Sequence, residues 1–141
     1  MNRNRSRSGV AAVEFALILM PLMMLVFGGI EFGRLVWTRN ALQQTAVATA
    51  RCMGVRQPPC ATSGALDLTR SVTFARTRAA SFSVAVTVAA VTATANTTCS
   101  GQGGFSRVVI ATQFRSVVPL ISRVIGTHAI NVAACFPNQA V

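Results

Sequence analysis

The feature that most constrains the fold is an apolar run of 21 residues, Val10–Ile30, whose single charged residue is Glu14. At 1.5 Å of rise per residue, a helix of this length spans about 31 Å, which matches the hydrocarbon core of a bilayer. A secretory signal has a shorter apolar region that ends near an A-x-A cleavage triplet, and here such triplets lie well beyond the run. The sequence therefore predicts a retained transmembrane helix, which we assign to residues 10–36.

Charged residues on either side of the run predict its orientation. Three arginines lie within residues 1–9, whereas Arg34 and Arg39 follow the run and are partly offset by Glu31. Cytoplasmic flanks of membrane helices carry the excess of basic residues. We therefore expect residues 1–9 in the cytoplasm and the body, residues 37–141, on the periplasmic side of the inner membrane.

Composition argues against an enzyme. The only acidic residues are Glu14, Glu31 and Asp67, and the only histidine is His128. General acid–base catalysis needs at least two titratable groups with separated pKa values, usually in one pocket. Glu14 and Glu31 lie near the two ends of the apolar run, so Asp67 and His128 are the remaining candidates, far apart in the chain. We predict no catalytic residues, no metal site and no cofactor.

Two residues are unusual for a simple anchor. Pro21 falls in the middle of the span, where it removes a hydrogen bond to the Leu17 carbonyl and should kink the helix. Glu14 lies on the membrane side of the apolar boundary, where a carboxylate is unfavourable. One interpretation of Glu14 is that its side chain extends to the lipid headgroups. The other is a functional role within the membrane.

The start of the apolar run resembles a type IV prepilin processing site. A basic leader ends in Gly9, and an apolar helix begins at Val10. Glu14 is then the fifth residue of the helix, with Phe15 beside it.

A longer stretch, Gly9 to Arg51, is similar to TadE-like pseudopilins of tight-adherence (Flp) pilus systems. The shared elements are the VEFAL start at Val13–Leu17, the proline at position 21, and the G-x-x-E-F-G-R motif at Gly28–Arg34. TadF-type proteins share this N-terminal pattern.

This resemblance implies a pseudopilin that takes part in pilus biogenesis. Prepilin peptidase would cleave between Gly9 and Val10, and Glu14 and Phe15 would serve in subunit assembly. The implied partners are prepilin peptidase, other pilin-like subunits and the pilus assembly platform, together with inner-membrane lipid. The protein would stay in the membrane or enter the pilus.

Helical periodicity extends beyond the bilayer. Ala41, Thr45, Ala48 and Cys52 share one stripe, and Gly54 followed by Pro58-Pro59 is a stop signal. A second, shorter helix is predicted at Leu66–Ala80. Its apolar face consists of Leu68, Val72, Ala75 and Ala79.

From Phe82 the period of the pattern changes to two, which predicts strands. The first strand should begin at Phe82 with a bulge at Ala89–Ala90, and residues 100–104 should form a hairpin loop. Further strands are predicted at Phe105–Val117 and His128–Phe136. The predicted fold class is α+β and pilin-like: a long N-terminal transmembrane helix, a short second helix and a three-stranded antiparallel sheet.

Four cysteines in an exported body indicate disulfides, for which three connectivities exist. We favour Cys52–Cys60, a local bridge across the helix end, together with Cys99–Cys135. If the middle strand separates the latter pair, a direct span of about 9.5 Å exceeds the limit of about 7 Å, so Cys99 would have to bridge from the loop. A zinc site is the rival hypothesis, but the sequence has no C-x-x-C pair.

The alternative function is a membrane-anchored minor pilin or receptor domain that binds DNA or another polyanion. Without residues 1–9 the chain would carry 10 arginines and 3 acids, a net charge of +7. Arg107 and Arg115 fall on one strand face, but no aromatic residues alternate with them there, as stacking on bases would require. The pattern therefore argues against nucleic acid as a partner.

Overall fold

The computed structural model describes residues 4–116 and 127–139. Two helices and two antiparallel sheets make up this part of the chain: α1 Asn4–Gly54, β1 Ala61–Thr62, β2 Ala65–Leu66, α2 Leu68–Ser81, β3 Val91–Cys99, β4 Gln102–Phe114 and β5 His128–Pro137. Strands β3, β4 and β5 form one sheet in that order, and β1 and β2 form a small hairpin. The α+β class, the second helix and the three-stranded antiparallel sheet are thus confirmed.

Helix α1 extends from the N-terminal region into the head without interruption, and it stays helical through Pro21. Its C-terminal part packs on the inner face of the β3–β5 sheet through Leu42, Ala46, Ala50 and Met53. Ala41, Thr45 and Cys52 of the predicted stripe are buried, whereas Ala48 is only half-buried, so the buried face is wider than the predicted stripe. Thr45 and Thr49 are buried as well, because each hydroxyl donates to the carbonyl oxygen four residues earlier, at 2.8 Å.

The end of α1 has two specialised residues. Arg56 has a left-handed backbone (φ 53°), and the N–H groups of Arg56 and Gln57 donate to the carbonyls of Met53 and Cys52, as in a Schellman cap. Gly54 has a different role, because a Cβ placed there would lie 2.6 Å from Phe136 Cδ1. The helix ends where sequence predicted, but Gly54 permits close packing and the left-handed residue is Arg56.

The second helix, α2, is capped by Asp67, whose Oδ1 accepts a hydrogen bond from the Arg70 N–H at 3.1 Å. Ser71, Ala75 and Ala79 are buried, and Val72 packs against the core. The sequence predicts Leu68 on the apolar face, but 44% of its surface is exposed, because it begins the helix next to the cap.

The predicted first strand was wrong over its first half. Residues 82 and 83 form a turn, with a left-handed backbone at Ser83 (φ 60°), and residues 84–87 belong to no ladder. Val88–Ala90 is a 3₁₀ turn where the bulge was predicted. The segment bonds back to α2 instead: Val84 N–H donates to the Ala79 carbonyl, and Arg76 Nε donates to the Val86 carbonyl. Burial still alternates along it, which explains why the pattern predicted a strand.

The irregularities of the hairpin lie nearer its tip. Register shifts separate Thr94 from Thr97 and Thr97 from Cys99, with a left-handed residue at Asn96 (φ 51°). The loop has only two residues, Ser100 and Gly101, both with positive φ, as in a type I′ turn. Strand β4 therefore begins at Gln102 and ends at Phe114, whereas position 117 of the predicted strand lies outside the described residues.

Both disulfides have the favoured pairing. Cys52–Cys60 ties the end of α1 to the turn that follows it, with 5.9 Å between the Cα atoms. Cys99–Cys135 joins the end of β3 to β5 across β4, with 6.5 Å between the Cα atoms. The estimate of about 9.5 Å assumed a regular sheet. The register shifts bend the hairpin tip, so Cys99 reaches across the strand between them.

Candidate membrane and assembly interface

The N-terminal part of α1 presents its apolar side chains to the outside. The large residues of Val10–Ile30 that the structure describes are exposed, and the most apolar window of the helix has none of its surface buried by the head. One helix among the described residues is long and apolar enough to cross a membrane. This arrangement is compatible with a single-pass anchor.

The residues implied in processing and assembly lie on this exposed helix. Gly9, Val10, Glu14 and Phe15 are all exposed, and a Cβ on Gly9 would contact nothing within 4 Å. Val10 and Glu14 are one helical turn apart, about 6 Å of rise, on the same face. The head leaves these positions free for other molecules.

The junction between the anchor and the head is formed by Glu31, Arg34 and Phe114. Only 5% of Glu31 is exposed, and its Oε1 accepts a hydrogen bond from Arg34 Nη1 at 2.9 Å. The Arg34 guanidinium carbon lies 5.5 Å from the centroid of the Phe114 ring at the end of β4. Head contacts therefore begin at Glu31, six residues before the predicted boundary at residue 37.

Two grooves flank α1 just above this junction. One, of about 520 Å³, lies between α1 and the segment after α2, and its lining includes Arg34, Trp37 and Ser83. The Trp37 Nε1 donates to the Phe82 carbonyl at 3.4 Å across this groove. The other, of about 490 Å³, lies between α1 and the start of β5. Both are at the end of the head that faces the exposed apolar helix.

The two residues considered for acid–base chemistry lie at opposite ends of the head. Asp67 lies seven residues after Cys60, and Cys60 forms a disulfide with Cys52 at the end of α1. His128 instead lines a groove together with Leu35. Residues 35 and 52 are separated by about 25 Å of helix rise. The backbone N–H of Arg70 is the main cause that holds the pKa of Asp67 below its usual value. Asp67 is a helix cap, and it does not act together with His128.

The basic residues of the head are dispersed. Arg107 in β4 and Arg115 just after the end of β4 are both exposed. On α2, Arg76 bonds the Val86 carbonyl, and Arg78 lies 5.6 Å from the Phe82 ring centroid. Within residues 9–116 and 127–139, no three metal-binding side chains cluster closely enough to hold an ion.

Comparison with protein families gives a match over most of α1. Residues 9–51 match the TadE-like protein family. The match begins at Gly9, covers the exposed apolar part of α1 and continues into the head, so the resemblance inferred from sequence is confirmed. The TadE-like family is associated with tight-adherence pilus systems and is structural in kind. Comparisons with curated proteins and with solved structures found no significant match.

The junction residues were missed as site residues by sequence reasoning. Glu31 and Arg34 both lie in the G-x-x-E-F-G-R motif, at i,i+3 spacing that favours a helical ion pair. That spacing was available from the sequence. The ring of Phe114 comes from a strand 80 positions later, and no local pattern indicates its position.

Proposed function

We propose that this protein is a non-enzymatic pseudopilin-like subunit for the biogenesis of a tight-adherence pilus. It is anchored in the inner membrane by the first part of α1, with residues 1–9 cytoplasmic and the α+β head periplasmic. The observation that carries this proposal is the match over residues 9–51, which coincides with the helix whose apolar surface the head leaves uncovered.

The head contacts refine where the bilayer would end. Apart from Glu14, the side chains of Val10–Ile30 are apolar and the large ones are exposed, whereas Glu31 is buried and paired with Arg34. A span of Val10–Ile30 has the length of a hydrocarbon core. In our proposal residues 31–36 therefore lie in the headgroup layer, and they connect the anchor rigidly to the head.

Assembly would use the same exposed surface. Glu14 is unfavourable in lipid, and cleavage after Gly9 would create a positive amine at Val10. A neighbouring subunit that brings its amine to Glu14 would neutralise both charges and set the axial register of the packed helices. Prepilin peptidase and pilin-like subunits are the partners that this proposal requires.

Cleavage of residues 1–9 by prepilin peptidase tests the proposed function. The full chain, expressed with a matching prepilin peptidase, should have an intact mass that lacks residues 1–9. Gly9→Arg should keep the full mass, because a large side chain replaces the small residue before the cleaved bond. A wild-type chain that stays uncleaved beside a processed control pilin would contradict the proposal.

A further inference from the structure

The groove between α1 and the start of β5 has the composition of a phospholipid site. Its apolar wall comes from Phe32, Leu35, Val36 and Ile130, and its polar groups are Arg39, His128 and Asn131. None of the described residues that line it is acidic. Its volume of about 490 Å³ lies within the usual range of small-molecule pockets.

The position of the groove along α1 places its membrane end in the headgroup layer. The exposed apolar surface ends at Ile30, and the headgroup regions add about 5–8 Å on each side of the hydrocarbon core. By helix rise, Phe32 lies about 3 Å beyond Ile30, Val36 about 9 Å, at the outer edge of this layer, and the Arg39 backbone about 14 Å. Side chains of a helix lean toward its N-terminus, which is the membrane end of α1, so Arg39 is directed back toward this layer.

The surroundings of the groove fit the same surface. Phe32 and Trp37 are 67% and 60% exposed at the level where interfacial aromatic residues anchor membrane proteins. Arg34 is paired with Glu31, whereas Arg39 brings its positive charge to a groove whose described lining contains no acid. An arginine above an apolar wall is complementary to a phosphate with acyl chains below it.

We propose that this groove binds an anionic phospholipid of the outer leaflet, with its phosphate against Arg39 and His128 and its acyl chains along Phe32, Val36 and Ile130. The bound lipid seats the head on the bilayer and sets the tilt of α1. This inference rests on the membrane anchoring proposed above, but not on processing or on filament assembly.

Lipid binding can be measured on the full chain by native mass spectrometry from detergent micelles that contain phosphatidylglycerol or phosphatidylcholine. Phosphatidylglycerol should bind the wild type more tightly. Arg39→Gln should weaken that binding about fivefold, the effect of one basic residue at an anionic surface, whereas Arg39→Lys should retain it.

Arg51→Gln is the matched control, because Arg51 is exposed on the same helix about 18 Å farther from the membrane. It should leave binding unchanged. An equal loss in both variants would mean diffuse charge attraction, and equal binding of the two lipids would remove the anionic preference. Either result overturns the proposal, as does displacement of the lipid by inorganic phosphate at similar concentration.

Trp37, the only tryptophan, reports the seating of the head. In nanodiscs with a spin label on the lipid headgroup, its fluorescence should be quenched by the labelled lipid. Quenching by soluble iodide alone would place the head away from the bilayer and overturn the inference. Extraction of the chain by an alkaline carbonate wash would instead refute the anchor, so the two failures are distinguishable.

Discussion

Gly54 is the position where one added methyl group should separate the end of α1 from the sheet. Its Cβ would lie 2.6 Å from Phe136 Cδ1 and 2.8 Å from the Pro137 carbonyl oxygen. Ordinary contacts between carbon atoms are about 3.5–4.0 Å, so a displacement of about 1 Å is needed. The ring of Phe136 can rotate. The Pro137 carbonyl is backbone, and the Gln139 N–H that follows is bonded to the Gly54 carbonyl at 3.0 Å.

The expected effect of Gly54→Ala is a loss of about 1–2 kcal/mol in the free energy of unfolding. Overpacking costs about 1–3 kcal/mol, and the contact with backbone favours the upper half of that range. Alanine recovers about 1 kcal/mol through its helix propensity. Trp37 fluorescence during thermal unfolding in detergent should show a midpoint about 4–16 °C lower.

Gly33→Ala is the control, because Gly33 also lies in α1 and its added Cβ would contact nothing within 4 Å. It should be neutral or stabilising through helix propensity alone. If Gly54→Ala stabilises the head as much as Gly33→Ala does, the close approach of α1 and β5 is wrong.

Two further predictions concern the cap of α2 and the disulfides. The pKa of Asp67 is lowered in the folded state, so its stabilising contribution is complete above the unfolded value near 3.8 and is lost as pH falls through the lower folded value. Asparagine also caps helices but does not titrate. Asp67→Asn should therefore flatten this acid dependence in unfolding curves measured between pH 2 and 6. Graded reduction should open Cys99–Cys135 first, because Cys135 is exposed, whereas Cys52 and Cys60 are both buried. The order can be measured by alkylation and peptide mapping, and labelling of Cys52 and Cys60 first would contradict it.

The elements with strong local signals were predictable from the sequence. The apolar run, the helical period up to Gly54 and the apolar period of α2 are local properties of the chain, and the structure has a helix at each of them, although α2 begins at Leu68 rather than Leu66. The alternation at residues 82–87 is also local, but it reflects the burial of alternate side chains rather than strand pairing. An extended segment that packs along the core alternates in the same way as a strand.

Both hairpins turn at a Ser-Gly dipeptide, which the sequence analysis recognised as a turn in only one of them. Ser63-Gly64 and Ser100-Gly101 both have positive φ at each residue, and S-G is a known turn dipeptide. Only the second was predicted as a loop, and the β1–β2 hairpin was missed because its strands have two residues each.

The candidate sites depend on contacts between distant residues. His128 and Phe32 line one groove although 96 positions separate them, and Phe114 reaches Arg34 from the end of β4. Periodicity assigns each residue to a face of its own element. It does not indicate which elements meet at the membrane end of the head.

The central claim is that the exposed helix joins other pilin-type subunits through Glu14. Its most direct test is whether those subunits still co-purify with the Glu14→Ala chain. A Glu14–amine pair at 4 Å contributes up to about 4 kcal/mol at an effective dielectric near 20, before desolvation is subtracted. Met20→Ala is the control, because it also truncates an exposed side chain of the same segment.

We expect Glu14→Ala to insert in the membrane and to be cleaved, but to lose its partners in detergent co-purification, with few pili on the cells. Met20→Ala should behave as the wild type. Undiminished partner recovery and normal piliation in the Glu14→Ala strain would contradict the account.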